Sequence, residues 1–236
     1  MSILQTVQLQ NLGLQPYKQV WDYQEQLLQE ALAVKKELAT SPGANISTSH
    51  HLLLVQHPHV YTLGKTGHEE YVLINEEQRA KMGVEYYHIN RGGDITYHGP
   101  GQLVGYPILD LEKFSTDIGK YLRNLEEVII KTIGEYGIVG GRSKGETGVW
   151  IDADIKGRER KICAMGVRCS RWVTMHGFAL NVNTDLDYFT HIVPCGIPDK
   201  QVTSMAKEIG EPLNFDHVQQ TLVRKFEEVF DVAILS

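Results

Sequence analysis

Cysteine is scarce: the 236 residues hold three, Cys163, Cys169 and Cys195. An odd, sparse set gives no disulfide framework, and a reducing cytoplasm is the expected setting. No CxxC pair and no HExxH stands in the chain, so the usual zinc spacings are missing and no metal or other cofactor is expected. A basic excess is lacking as well. The formal net charge of -6 argues against a nucleic-acid partner, although a local basic patch can still steer an acidic protein partner. No apolar run approaches the ~20 residues of a membrane span. The opening MSILQTVQLQNLGLQ has no basic stretch followed by an apolar core, and no arginine precedes Arg79. Neither a secretory signal nor an organelle transit peptide is therefore expected. Internal repeats and low-complexity tracts are absent too.

What is present suffices for a sizeable core. Apolar residues make up 42% and charged residues 22%, the balance of an ordinary globular chain. The length predicts one domain over 1–236, at the upper end for a single core. Loose alternation predicts a strand over 3–10. Pro16 then opens a helix over 17–39 with Tyr17, Val20, Trp21, Leu27, Leu28, Ala31 and Leu32 at helical spacing. The segment 41–49 reads as a loop, HLLLV (51–55) as a buried strand, 75–82 as a short helix closed by Gly83, and 84–90 as a strand. Two short β-rich runs lie in the glycine-dense stretch 91–111. A helix follows over 115–136, with Ser115 or Thr116 as its cap. TGVWIDA, RKICAMGVRCS and VTMHGFALNVN read as strands, the first two joined by the hairpin loop DIKGRE. Residues 184–200 read as irregular, and a helix covers 214–231. This order is no βαβ alternation; it predicts an α+β fold with a mixed, largely antiparallel sheet packed with helices.

Cys195 lies in HIVPCGIPD, flanked by Pro194 and Gly196, a setting that fixes a turn and lets backbone approach a ligand. It reads equally as an exposed nucleophile or as a buried structural cysteine. Lys161 opens KICAMGV. An amine near a thiol favours the thiolate; the plainer reading is a solvated lysine at a hairpin end beside Lys156, Arg158 and Arg160. On a regular strand Lys161, Cys163 and Met165 would share one face, which keeps Cys163 as a rival thiol, although packing as a small hydrophobe suits a strand position better. RGGDITYHGPGQ is neither GxGxxG opening a helix nor a P-loop. Its Gly92, Gly93, Gly99 and Gly101 suggest close backbone contact with a ligand, with Arg91 and His98 as polar groups of a cleft, or else a pair of tight turns. His176 in HGFALN is a further candidate polar anchor.

Taken in order and spacing, RGGDITYHGPGQLVGYPILDL, KICAMGVR, HGFALNVN and PCGIPD resemble the lipoyl(octanoyl) transferase family, and the likeness runs from LGLQPYKQVWDYQ to TSMAKE. The resemblance implies a biotin/lipoate protein ligase-like fold. It implies transfer of an octanoyl group from octanoyl-acyl carrier protein to a lysine of lipoyl domains. Those domains belong to 2-oxoacid dehydrogenases and the glycine cleavage H protein, and the transfer is the first step of protein lipoylation. It implies that Cys195 carries the acyl group as a thioester and that Lys161 lowers its pKa. The segment Arg91, Gly92, Gly93, Asp94, Ile95, Thr96, Tyr97 and His98 would line the substrate cleft. Ala164, Met165 and Gly166, then Gly177, Phe178 and Ala179, would complete the acyl walls, with small residues leaving room for the tail. Thioester exchange needs no ATP. Two features depart from the family pattern: a thiol at position 163, and a long hairpin DADIKGRER. The basic cluster Lys156, Arg158, Arg160, Arg168 and Arg171 is a candidate docking patch for an acidic partner. An ATP-dependent lipoate or biotin ligase of the same fold is the alternative, and a non-catalytic acyl-carrier binder a third reading.

Overall fold

A computed structural model describes residues 4–193 and 201–235. The chain opens with strand β1 (Gln5–Leu14) and helix α1 (Tyr17–Thr40), followed by β2 (His51–Gln56) and β3 (Val60–Leu63). A short helix α2 (Glu76–Lys81) precedes β4 (Glu85–His88), β5 (Ile95–His98) and β6 (Gln102–Ile108). Helix α3 (Ile118–Gly134) leads to β7 (Gly140–Gly141), β8 (Val149–Ile151), β9 (Arg160–Ser170) and β10 (Val173–Asn181). After β11 (Gln201–Val202) come α4 (Met205–Ile209), α5 (Phe215–Phe230) and β12 (Val232–Leu235).

Among the described residues these strands form a nine-stranded sheet, ordered β12-β1-β2-β6-β10-β9-β8-β7 with β11 beside β9, and a three-stranded sheet β4-β3-β5. The long run from β2 to β7 is antiparallel, while β1 pairs in parallel with β2 and β12, and β11 with β9. The α+β class and the mixed, largely antiparallel sheet therefore hold, with a small second sheet beside the main one.

Strand β2 is apolar throughout because both of its faces are covered. Leu52 and Leu54 pack with Leu125, Ile129, Leu222 and Phe226 of α3 and α5, while Leu53 and Val55 pack with Val20, Leu27 and Leu28 of α1. The cap of α3 is Asp117, whose side chain accepts from the Lys120 N–H at 2.9 Å, two residues beyond the expected Ser115 or Thr116 boundary. An acidic cap also meets the positive end of the helix dipole. The strands β3 and β12 are additions to the sequence reading. β3 is only four residues long and is defined by its partners β4 and β5; β12 follows Asp231, whose left-handed φ of 52° turns the chain back beside β1.

Close packing at the centre depends on missing side chains. A Cβ on Gly177 would lie 2.2 Å from the Gly105 carbonyl oxygen, and one on Gly105 would lie 2.1 Å from the Phe178 ring. By contrast, a Cβ on Gly134 meets nothing within 4 Å.

Burial also traps four histidines, His50, His57, His98 and His176, at 6% exposure or less. Desolvation pushes His50 and His57 down to about 4 and His98 and His176 down to about 3, so all four are neutral in the fold. Unfolded, each would titrate near 6.5. The unfolded chain therefore binds more protons as pH falls below that value. The stability these residues contribute is complete above about pH 6.5 and is lost as pH falls toward their folded values, at up to ~1.4 kcal/mol per pH unit for each.

Two outcomes follow. Calorimetry from pH 7.5 to 5 will show Tm nearly level down to about pH 6.5 and falling increasingly below it; a flat or rising Tm between about pH 6.5 and 5 contradicts the neutral histidines. In urea unfolding, Gly177→Ala will cost about 2–3 kcal/mol through overpacking, whereas Gly134→Ala will be neutral or gain up to about 1 kcal/mol. Equal effects contradict the packing described.

Candidate active site

Among the described residues, β9 is paired on both sides only at its beginning. Here β8 covers it as far as Cys163, which faces Val149. Further along, the Gly92 N–H donates to the Val167 carbonyl oxygen at 3.0 Å. Between these two attachments lie Ala164, Met165 and Gly166, and there a cavity of about 560 Å³ opens. Its walls contain Arg91, Gly92, Gly93, Asp94, Ile95, Thr96 and His98 from the glycine-rich segment, Lys161, Ala164, Met165 and Gly166 from β9, and Gly177, Phe178 and Ala179 from β10. The volume and the mostly apolar walls, with a few convergent polar groups, are those of a small-molecule site.

Tyr97 is the exception among the expected wall residues. Strand alternation turns it away from Thr96 and His98, into the small sheet, where its hydroxyl meets His59 Nδ1 at 2.7 Å and its ring stacks on Tyr188. Arg91 is built into the roof. Its guanidinium donates to the Thr62 carbonyl and hydroxyl oxygens at 2.7 and 3.1 Å, and to the Gly92 carbonyl at 3.0 Å. The glycines allow this close approach: a Cβ on Gly166 would lie 2.7 Å from the Gly92 carbonyl oxygen.

Lys161 and Cys163 do not share a face. Trp150 lies opposite Lys161 and Val149 opposite Cys163, so β9 has one extra residue, Ile162, between them. This β-bulge breaks the alternation on which the common face was expected. Lys161 enters the cavity wall with its Nζ 4.5 Å from the centre of the Trp150 ring, a cation–π arrangement. Cys163 sits fully buried in the main core with Leu180 and Ile162, and burial pushes its thiol well above the ordinary range. A buried, protonated thiol is a poor nucleophile, which removes Cys163 as a rival.

Cys195 lies outside the described residues. The chain on either side of its segment is well placed by its partners. The Val193 N–H donates to the Tyr71 carbonyl at 2.9 Å, and Val202 pairs with Lys161. Phe189 and Val202 both line the cavity.

Further wall residues were not singled out in the sequence. Ile118 and Leu122 enter from α3, Glu146 and Thr147 from the loop before β8, and Tyr17, Gln102, Tyr106 and Asn181 complete the polar end. Apolar positions of an amphipathic helix carry no local mark of facing a cavity, so α3 offered no signal. Glu146 and Thr147 stand on a loop tied down by Glu126. This fully buried carboxylate pairs with Arg123 and Arg142 and accepts the Gly148 N–H at 3.1 Å. His176 lines the cavity as well; its Nε2 meets Asn90 Oδ1 at 3.0 Å, and its φ of 58° is unusual for a non-glycine strand residue.

The basic cluster is largely committed within the chain. Arg160 is bound by Glu208 and Asp152, Arg158 reaches Asp152, and Arg168 pairs with Glu25. Three of the five residues of the candidate docking patch thus have carboxylate partners within the chain. Among the described residues, no group of three or more His, Cys, Asp or Glu could hold a metal ion, and no helix is long and apolar enough to cross a membrane.

Comparison with known proteins adds the family. Residues 16–227 match the model of the lipoyl protein ligase A/B catalytic domain. An octanoyltransferase of Christiangramia forsetii is 55% identical over 229 residues, covering 97% of each chain. One of Flavobacterium psychrophilum is 55% identical over 231 residues, covering 98% of this chain and 99% of that one. Among solved structures, a bi-partite lipoate protein ligase of Thermoplasma acidophilum superposes with a TM-score of 0.70 at 18% identity, covering 99% of this chain and 86% of that chain. Lipoate-protein ligase A bound with ATP gives a TM-score of 0.66 at 15% identity, covering 99% and 88%. At such identities the ligases share the fold, whereas the octanoyltransferases are 55% identical over nearly their full length. The chain belongs to the lipoyl protein ligase A/B catalytic domain family, among its octanoyltransferases.

Proposed function

We propose that residues 1–236 act as one catalytic domain that moves an octanoyl group from octanoyl-acyl carrier protein to a lysine of lipoyl domains, through a thioester on Cys195. The observation that carries this reading is the cavity beside β9. It has an apolar wall of Ala164, Met165, Phe178 and Ala179 and, among the described residues, one primary amine, Lys161, in a chain 55% identical to an octanoyltransferase. An eight-carbon tail buried there gains ~0.8 kcal/mol per CH2.

The chemistry balances without an external energy source. The Cys195 thiolate attacks the donor thioester carbonyl, the bond to the carrier's sulfur breaks with that sulfur leaving as a thiolate, and one thioester replaces another. The neutral ε-amine of the acceptor lysine then attacks the enzyme thioester. The C–S bond breaks, an amide forms, and the proton lost from the amine balances the one that returns to the sulfur. Lys161 is the group proposed to favour the thiolate electrostatically and to pass that proton. The acceptors of this reading are the lipoyl domains of 2-oxoacid dehydrogenases and the glycine cleavage H protein, and the setting is the cytoplasm.

The deciding experiment is intact-mass analysis after mixing the full chain with octanoyl-acyl carrier protein. A single octanoyl adduct will form on the wild-type chain and none on Cys195→Ser, and addition of a lipoyl domain will discharge it without ATP. An adduct that survives Cys195→Ser, or transfer that requires ATP, rejects the reading and favours the ligase alternative. Lys161→Met will slow adduct formation by about 100-fold or more while leaving the urea midpoint near wild type; adduct formation at the wild-type rate removes Lys161 from the mechanism.

A further inference from the structure

Along the polar end of the cavity runs a chain of buried polar side chains that the proposed chemistry does not use. His98, Gln102, Asn181 and Thr203 are each 6% exposed or less. His98 Nδ1 lies 2.8 Å from Gln102 Oε1. The Gln102 amide nitrogen donates to Asn181 Oδ1 at 2.9 Å and to the Tyr97 carbonyl at 3.1 Å. The Asn181 amide nitrogen donates to the Thr203 carbonyl at 2.9 Å, and the Thr203 N–H donates to the Lys161 carbonyl at 2.9 Å. The Thr203 hydroxyl continues to Glu208 at 2.5 Å, and Glu208 holds Arg160.

The direction of every bond is fixed by the two backbone acceptors. The Thr203 carbonyl can only accept, so the nitrogen of Asn181 must face it and the oxygen of Asn181 must face Gln102. Gln102 must then donate to Asn181, and the Tyr97 carbonyl independently demands the same orientation. That leaves the oxygen of Gln102 toward His98, whose Nδ1 must carry the proton. His98 Nε2 is then a lone-pair acceptor, 3.5 Å from the hydroxyl of Thr62, which in turn accepts from Arg91. Tyr17 stacks on the other side of the ring. A buried network with every member satisfied holds its parts in one arrangement.

We infer that Gln102 and Asn181 are positioning residues of this active site: their amides fix His98 in the Nδ1–H tautomer and clamp β11 onto the backbone of Lys161. The inference rests on the octanoyl-transfer reading only for its kinetic consequence. Asn181 is the last residue of β10, and Thr203 follows β11 directly. Their bond thus joins the strand that forms the acyl wall to the strand that flanks the amine. Losing it loosens Lys161 while the apolar acyl wall of Ala164, Met165, Phe178 and Ala179 stays in place, so the chemical step should slow more than donor binding weakens.

The test uses the full chain labelled with 15N-histidine. Two-bond proton–nitrogen correlation at pH 7 will show His98 with the proton on Nδ1 and a bare Nε2; a proton on Nε2 overturns the network. Asn181→Asp replaces the donor to Thr203 by an acceptor and is expected to lower kcat for octanoyl transfer about tenfold with the donor KM within about twofold. Unchanged kcat overturns the positioning role. If that variant does not fold, Gln102→Glu keeps the acceptor toward His98, loses both donors, and is judged by the same kcat and KM criteria. Should the wild-type chain transfer no octanoyl group, the proposed activity fails, and the tautomer of His98 alone decides the network.

Discussion

The hydrogen bond from the Gly92 N–H to the Val167 carbonyl is the contact on which the site depends. It attaches the glycine-rich segment, and with it the small sheet, to the unpaired edge of β9. Between this bond and the last β8 pairing at Cys163, the strand pairs with no other strand on that side among the described residues, and the gap becomes the cavity. An open strand edge is ordinarily a hazard, because unpaired N–H and C=O groups invite another strand. Here the edge is roofed by Arg91 and Gly92 and used as a wall. The absence of side chains at Gly92, Gly93 and Gly166 is what lets two backbones approach closely enough for the roof to sit.

Charge inside this roofed space is managed by pairing or by neutralisation. Arg91 is held by three oxygen acceptors, and Glu126 by two arginines and a backbone N–H. The histidines around the cavity are kept neutral by burial. A buried ion costs several kcal/mol unless it is paired, so Arg91 and Glu126 are fixed in place by their partners. Preorganised dipoles in a dry cavity stabilise developing charge more strongly than water does. Lys161, beside the electron-rich face of Trp150, belongs to the same design.

Much of this was legible in the residues. The apolar run HLLLV, the stripe of α1 and the hairpin between β8 and β9 were visible because each repeats at the period of its own structure. The cavity wall was visible only through the ordered set of motifs, since Ala164, Gly166 or Ala179 alone carry no chemical signal. Tertiary placement stayed hidden. A bulge at Ile162 separated Lys161 from Cys163, and nothing local in KIC announces it. Ion pairs from Glu208, Asp152 and Glu25 absorbed arginines that looked free along the chain. Tyr97 went to the other face because a strand shows alternate residues to alternate sides. The polar chain from His98 to Thr203 joins segments far apart in sequence, so no window along the chain could reveal it.

The parallel ladder between β1 and β12, with Gln5 opposite Val232, has a kinetic consequence. Its two strands meet only after nearly the whole intervening chain has been arranged, and ladders of such wide separation close late and slowly. Until then β1 presents a free edge. Its sequence suits that exposure: only Val7 is fully buried, and Thr6 and Gln8 beside it face solvent. A strand that must wait unpaired during folding is thus polar on its outer side, which limits mispairing with another copy while the sheet is still incomplete.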